Sequence, residues 1–451
     1  MTVVHPPMPK CDHQPRPYDG PSREEVLNLR RQYLTPALIT FYREPIMIVE
    51  GHMQYLYDET GRRYLDAFAG IATISAGHGH PKVLAAARDQ LERLQHGTTI
   101  YLHPKIAQFG KKLADTLPAG LDVCYFLNTG SEANELAMTM ARSFTGNYDF
   151  IALRNGYHGV SPTAMGLTAH STWKQPVPHG FGVHHARLPN RYHGPFGYDD
   201  PQAGARYAED IVDLIRHGTS GNVAGFIAEP IQGVGGVVEM PPGYLQAVYA
   251  AVRAAGGLCV ADEVQTGFAR TGEHFWGFEA HGVTPDIVTM AKGIGNGVPL
   301  SAVVTRSDIA AALAKRVHFN TFAGNPVSCA QGLASLEVLL DEDYLGHVRR
   351  VGARLHEGLR ALQKRHAIIG DVRGKGLMTG VELVTDRTTK ASAGPATADV
   401  VERCKQLGVL IGKGGFFGNV LRIKPPLCIT DADIDFLLGV LDQAFTEVGR
   451  V

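Results

Sequence analysis

The sequence predicts an α/β protein: a large domain built on a mostly parallel sheet, with a smaller α+β domain beside it. Three observations carry this. The chain has 451 residues, more than one small core can organise. Between about residues 105 and 330, short uninterrupted apolar runs alternate with longer helical stretches. Strands of a parallel sheet read this way because helices cover both faces. Beyond about residue 335 the order becomes helix, strand pair, helix, strand, helix, which is α+β. The expected division is an N-terminal arm with the first part of the small domain at 1–95, the large domain at 96–334, and the C-terminal small domain at 335–451.

The elements follow in order. Residues 1–20 are rich in Pro and polar groups and predict an extended arm. A helix is expected over Ser22–Tyr33, where Ser22 and Glu25 fit a capping box. In Met53–Asp66 two apolar runs flank Asp58-Glu59-Thr60-Gly61, a hairpin signal. Cys124–Leu127, Phe150–Leu153, Gly225–Ala228, Leu258–Ala261 and Ile287–Met290 are the candidate buried strands, and Gly243–Ala255 is a helix between two of them. The tail predicts a helix at Leu345–His366, a strand pair around Val372–Leu383, a helix at Ala396–Leu407, a short apolar strand and a last helix at Asp431–Val448. No internal repeat or low-complexity tract interrupts this order.

Composition narrows the function. Lys+Arg 43 against Asp+Glu 44 leaves a formal net charge of -1, so nothing draws the chain toward nucleic acid or an anionic membrane. An acidic substrate has to be met by local cations. Cys11, Cys124, Cys259, Cys329, Cys404 and Cys428 are scattered without CxxC spacing, which argues against a disulfide framework and for a reducing compartment. The first residues carry neither a secretory apolar segment nor an Arg- and Ser-rich amphipathic one, and no run approaches the roughly 20 apolar residues of a membrane helix. The expected location is cytoplasmic. His78-Gly79-His80 and His184-His185 lack ligand spacing, so no metal is expected. The glycine runs Gly233–Gly236 and Gly293–Gly297 match neither GxGxxG between strand and helix nor a phosphate-binding P-loop, which sets aside NAD and ATP.

Ligands in an open α/β sheet bind beyond the carboxyl ends of the strands. Four candidate strands end in chemistry. Cys124–Leu127 runs into Asn128-Thr129-Gly130-Ser131, which opens a helix. This turn suits a phosphate, through close backbone approach at Gly130, free helix N–H groups and the Ser131 hydroxyl. The plainer reading is a helix cap by Asn128 or Thr129. Gly225–Ala228 ends in Glu229. Leu258–Ala261 ends in Asp262, either a buried ion-pair partner or a carboxylate that keeps a heterocyclic nitrogen protonated. Ile287–Met290 ends in Ala291-Lys292-Gly293. A lysine there is either a solvated strand end or a desolvated amine with a lowered pKa, suited to a Schiff base. Phosphate turn, pyridinium partner and amine, in this order, are the needs of pyridoxal 5'-phosphate (PLP).

Val260-Ala261-Asp262-Glu263-Val264-Gln265-Thr266-Gly267-Phe268-Ala269-Arg270-Thr271-Gly272, then Pro285-Asp286-Ile287 and Ala291-Lys292-Gly293, resemble the signature of the class III (subgroup II) aminotransferases. Glu229-Pro230-Ile231-Gln232-Gly233, Tyr157-His158-Gly159 and Thr321–Pro326 fit the same pattern, and the likeness runs over nearly the whole chain. Within the class it is strongest to the alanine–glyoxylate type, on Cys11-Asp12, Gly51-His52-Met53, Gly77–Val83, Gly282–Gly297 and Gly370–Met378. The resemblance implies the PLP-dependent fold type I, with a mostly parallel seven-stranded sheet. It implies that Lys292 carries the cofactor as a Schiff base and that Asp262 faces the ring nitrogen. Gly130 and Ser131 would cradle the phosphate, and Thr321 would reach it from the neighbouring subunit of a homodimer or dimer of dimers. Tyr157 and Val264 would hold the two ring faces, with His158 beside Tyr157. Gln265 would donate to the phenolic oxygen, with Glu229 behind it.

Arg422, in Val420–Pro426, corresponds to the arginine that takes the substrate carboxylate in a two-toothed contact. In the ornithine and 4-aminobutyrate branches a glutamate can neutralise that arginine. Val234 stands at this place here and leaves Arg422 free for small 2-oxo acids. Residues around Ile74, Tyr101 and Tyr157 would select the donor. The reaction expected is transfer of an amino group from alanine, β-alanine or β-aminoisobutyrate to glyoxylate or pyruvate. The competing expectations are a lyase or another ω-amino-acid transaminase on the same scaffold, and a PLP-binding protein without turnover.

Overall fold

The computed structural model describes residues 5–449, so the first four residues of the expected arm and the last two of the expected C-terminal domain lie outside it. A seven-stranded sheet runs in the order Val123–Leu127, Ser301–Thr305, Ile287–Met290, Leu258–Asp262, Gly225–Ala228, Phe150–Leu153, Val183–Ala186. Only Ser301–Thr305 runs antiparallel to its neighbours, which makes the sheet mostly parallel as expected. The central strands are buried along their whole length, the physical reason their sequences are unbroken apolar runs. Two strands escaped the sequence reading. Val183–Ala186 is an edge strand carrying His184 and His185, and Ser301–Thr305 begins and ends in buried hydroxyl residues.

The helix Gly130–Thr145 packs against the sheet through Ala133, Leu136, Ala137, Met140 and Ala141, one face at helical spacing. Thr129 caps it in a reciprocal box with Glu132. Ser22 and Glu25 form the expected box on Arg23–Tyr33. The hairpin of Tyr55–Asp58 and Arg63–Asp66 forms, and it joins a distant part of the chain: Val409–Leu410 pairs in parallel with Leu65 and Asp66. A further sheet holds Ile369–Lys375, Met378–Asp386, Val420–Ile423 and Gly412–Gly414. One apolar cluster runs from Tyr55 through Phe126 and Val288 to Phe445, so the parts share a continuous core. Helix Tyr344–Arg365 approaches the turn at Gly376 so closely that a Cβ on Gly352 would lie 2.6 Å from its Cα.

Among the described residues no helix is long and apolar enough to cross a membrane, and all six cysteines are free.

Candidate active site

The carboxyl ends of four sheet strands open onto one cavity of about 390 Å³. All the cofactor residues expected from the sequence line it except Thr321: the Gly130-Ser131 turn, Tyr157-His158, Glu229, Asp262, Val264-Gln265 and Lys292. The strands deliver them because a parallel sheet points its carboxyl ends the same way.

Asp262 closes its strand 2 % exposed, and a buried carboxylate needs donors. It has three. The Val264 N–H donates to Oδ1 at 3.1 Å, and Asn134 Nδ2 and His158 Nδ1 reach Oδ2 at 2.9 and 2.7 Å. Since the carboxylate only accepts, the proton of His158 sits on Nδ1. Burial works against charge on His158, but the bond to Asp262 and its charge prevail and hold the imidazole above its ordinary pKa. Asn134 also donates to the His158 carbonyl at 2.9 Å and accepts from Thr289 Oγ1 at 2.7 Å. Asp262 is thereby fixed from three elements.

Lys292 is enclosed, and burial lowers its pKa; Asp262 and Glu229 oppose this, and Arg422 adds to it. Its backbone sits at φ 53, a left-handed conformation costly for a residue with a Cβ. Glu229 is also buried, and its pKa is raised by that burial. It accepts the N–H groups of Tyr157 at 3.1 Å and Gly233 at 2.7 Å, rather than bonding to Gln265.

The turn expected to take a phosphate forms the helix cap of the plainer reading. Thr129 caps, while the N–H groups of Gly130 and Ser131 have no acceptor within the helix. A Cβ on Gly130 would lie 3.3 and 3.4 Å from the two methyls of Val264, so the close approach depends on glycine. Across the cavity, a Cβ on Gly159 at φ +132 would lie 2.4 Å from Ser131 Oγ. The Tyr157 ring meets Trp173 edge-on at 5.4 Å.

Arg422 is 7 % exposed, with its guanidinium 5.1 Å from the centre of the Phe68 ring. Nε donates to the Lys413 carbonyl at 3.1 Å, and Nη1 is buried with no partner. Burial pushes its pKa down to about 10 against the pull of Glu229. Among the described residues it forms no ion pair. Val234 is a near neighbour. Its carbonyl accepts from Gly415 at 3.0 Å, and a Cβ on the intervening Gly414 would sit 3.0 Å from that carbonyl and 2.7 Å from Arg422 Nε.

Four expected residues do not line the cavity within one chain: Arg422, Thr321, Tyr101 and Ile74. Thr321 and Tyr101 are exposed, Tyr101 at 70 %. Ile74 stands at the rim, its Cδ1 3.2 Å from where a Cβ on Gly297 would be, while its neighbour Thr73 lines the cavity. Both follow a left-handed turn, Ala69 to Ala72 at φ 50, 57, 67 and 60, which Asp66 Oδ1 ties down through the N–H groups of Phe68 and Ala69.

Sequence reasoning missed Asn134 and Lys424. Asn134 lies five residues beyond Thr129, and helical periodicity from the phosphate turn would have pointed it at the sheet. Lys424 is fully buried and donates to Gln265 Oε1 at 2.8 Å; nothing in the sequence separates it from a surface lysine.

The cavity fits PLP on its own features. It has a helix N-terminus with room made by glycine, a fixed carboxylate and a desolvated lysine amine.

Comparison with known proteins agrees. The family model described as Aminotransferase class-III matches residues 41–445. A protein of Arabidopsis thaliana named alanine–glyoxylate aminotransferase 2 homolog 2, mitochondrial, is 54% identical over 441 residues, covering 98% of this chain and 91% of that one. The Homo sapiens protein named alanine–glyoxylate aminotransferase 2, mitochondrial, is 45% identical over 465 residues, covering 98% and 90%. Among solved structures, an (S)-enantioselective omega-transaminase from Thermomicrobium roseum superposes with a TM-score of 0.89 at 34% identity, covering 96% of this chain and 100% of that one. A phospholyase from Arthrobacter in complex with phosphoethanolamine gives 0.87 at 33%, covering 93% and 99%.

Proposed function

Starting from the fact that this chain belongs to the class III aminotransferases, we propose that it transfers the amino group of a small amino acid to glyoxylate or pyruvate. The donors we assign are alanine, β-alanine and β-aminoisobutyrate. The enzyme is a PLP-dependent aminotransferase. The observation that carries the choice of acceptor is Arg422, a buried cation with a free Nη1 and valine at position 234. The names of the Arabidopsis and human relatives support alanine as donor and glyoxylate as acceptor.

When bound, PLP supplies an aldehyde carbon that exchanges amino groups and a ring that withdraws electrons. The chain supplies the rest. The turn at Gly130-Ser131 holds the phosphate, with Thr321 of a second subunit completing it. Tyr157 and Val264 hold the ring faces, with His158 bonded to Asp262. Burial lowers the pKa of Lys292 and so favours the free amine, whose lone pair would hold the cofactor and, once released, carry the proton from the substrate Cα. Asp262, fixed by its three donors, presents its charge to the ring nitrogen. Arg422 takes the carboxylate and so orients the bond to be broken. We assign the choice of donor to the residues around Ile74, Tyr101 and Tyr157.

A homodimer or dimer of dimers suits the surface. Ile100, Tyr101 and Leu102 are 70%, 70% and 105% exposed, and Phe322 is 63% exposed beside a groove that shares Asn128, Val298 and Pro299 with the cavity. We assign 1–95 to the arm and first part of the small domain, 96–334 to the PLP domain and 335–451 to the rest of the small domain. Pairing of Val409–Leu410 with Leu65–Asp66 supports joining the first and last parts. Six free cysteines suit a reducing compartment, and we keep the cytoplasm as the location although both relatives' names read mitochondrial. Imaging of the tagged chain decides this.

The test is a donor panel run against glyoxylate and pyruvate with the purified enzyme. Turnover that requires the 2-oxo acid supports transamination. Release of ammonia or phosphate without it supports a lyase, the activity named for the Arthrobacter structure.

A further inference from the structure

Lys424 follows the strand Val420–Ile423, and its backbone N–H is tied to the Ala67 carbonyl at 2.8 Å. Its side chain is fully buried. Burying an ammonium is expensive unless a carboxylate pays for it, and among the described residues Lys424 forms no ion pair. The charged groups around it are mostly cations: Arg422, Lys292 and Arg270 lower its pKa further after burial, and Glu229 alone raises it. Methionine or leucine would fill this space at no electrostatic cost. What the lysine has instead is one hydrogen bond, to Oε1 of Gln265 at 2.8 Å.

That bond has a consequence for the cavity. A side-chain amide carries an acceptor at one end and two donors at the other. In this contact Lys424 Nζ donates to Oε1, which leaves Nε2 turned away from the lysine. Gln265 lines the cavity. Gly233 closes the amide on another side, since a Cβ there would lie 2.4 Å from Nε2 and 2.6 Å from Oε1.

We propose that Lys424 is a positioning residue: by holding Oε1 of Gln265 it fixes the amide so that Nε2 donates into the cavity, to the anionic ring oxygen of the cofactor. This rests on the PLP assignment above. Without Lys424 the amide is free to turn its oxygen toward that anion, and the donor is lost without any change to Gln265 itself.

The visible absorption band of the protein-bound cofactor, titrated against pH, reads this directly, because a donor to the ring oxygen favours the deprotonated form. The holoenzymes to compare are wild type, Lys424→Met, Gln265→Ala and the double variant. Lys424→Met and Gln265→Ala should each move the midpoint up by about one unit, roughly tenfold in the equilibrium. The double variant should show no further shift, because both remove the same donor. An unshifted Lys424→Met, or shifts that add in the double variant, overturns the proposal. Additive shifts would mean that Lys424 acts only as a charge or as packing. Lys424→Gln, which keeps a donor, should shift by less than half as much. It replaces the methionine variant if that fails to fold, and additivity with Gln265→Ala refutes the proposal there too. If the wild type takes up no cofactor and shows no band, the PLP assignment itself fails, which these variants do not mimic.

Discussion

Truncating Arg422 to alanine should erase the preference for acceptors that carry a carboxylate while leaving the fold in place. The guanidinium is 7 % exposed with Nη1 unpartnered, so a carboxylate that reaches it gains charge-assisted bonds in a water-poor setting. Such bonds are worth about 1.5–3 kcal/mol each. Losing a two-toothed contact therefore removes about 3–5 kcal/mol, a loss of roughly 10²- to 10⁴-fold in kcat/KM. The assay compares glyoxylate with acetaldehyde as acceptors in the second half-reaction. Arg422→Ala should bring the ratio of their kcat/KM values close to one by lowering glyoxylate alone. The melting temperature should fall by less than about 3 °C, because no ion pair is broken and what is lost is the bond to the Lys413 carbonyl and the contact with the Phe68 ring. An equal loss with both acceptors, or none with glyoxylate, refutes the assignment of Arg422 to the carboxylate.

Two further outcomes follow from the buried polar groups. Asn134→Leu strips a donor from Asp262 and strands the His158 carbonyl and Thr289 hydroxyl, so it should cost about 1–3 kcal/mol in urea unfolding and lower kcat roughly tenfold with little change in KM. Glu263 accepts from Thr266 Oγ1 and from the Gly277 and Phe278 N–H groups, yet burial raises its pKa from 4.5 to about 7. A carboxyl group raised on folding is bound as the acid, so its contribution is complete below the unfolded pKa and is lost as pH rises through the folded one. The loss is on the order of 3 kcal/mol between pH 4.5 and pH 7. Glu263→Gln cannot titrate and turns one amide hydrogen against these donors, so the variant should melt below wild type at pH 5 and the gap should narrow by pH 8.5. A gap that is constant with pH contradicts this.

The parallel strands were legible in the sequence because burial on both faces forces apolar runs, and their ends gave Glu229, Asp262 and Lys292 without further help. Val183–Ala186 was hidden because an edge strand tolerates His184, which pairs with Asp149 at 2.9 Å, and His185, which burial holds down to about 4. Ser301–Thr305 was hidden because it follows a glycine-rich loop and carries Ser301 and Thr305, whose burial only the fold reveals. The pairing of Leu65 with Val409 spans more than three hundred residues and leaves no local signal. Asn134 and Lys424 were silent for a related reason: their partners, Asp262 and Gln265, are brought to them by tertiary structure alone.

The account's central claim is that Lys292 holds the cofactor. Borohydride reduction of the PLP-loaded enzyme, followed by peptide mass spectrometry, fixes the cofactor where it is bound. The account predicts the added mass on the peptide containing Lys292, with Lys424, the more deeply buried lysine nearby, unmodified. Label on Lys424, or on neither lysine, contradicts it.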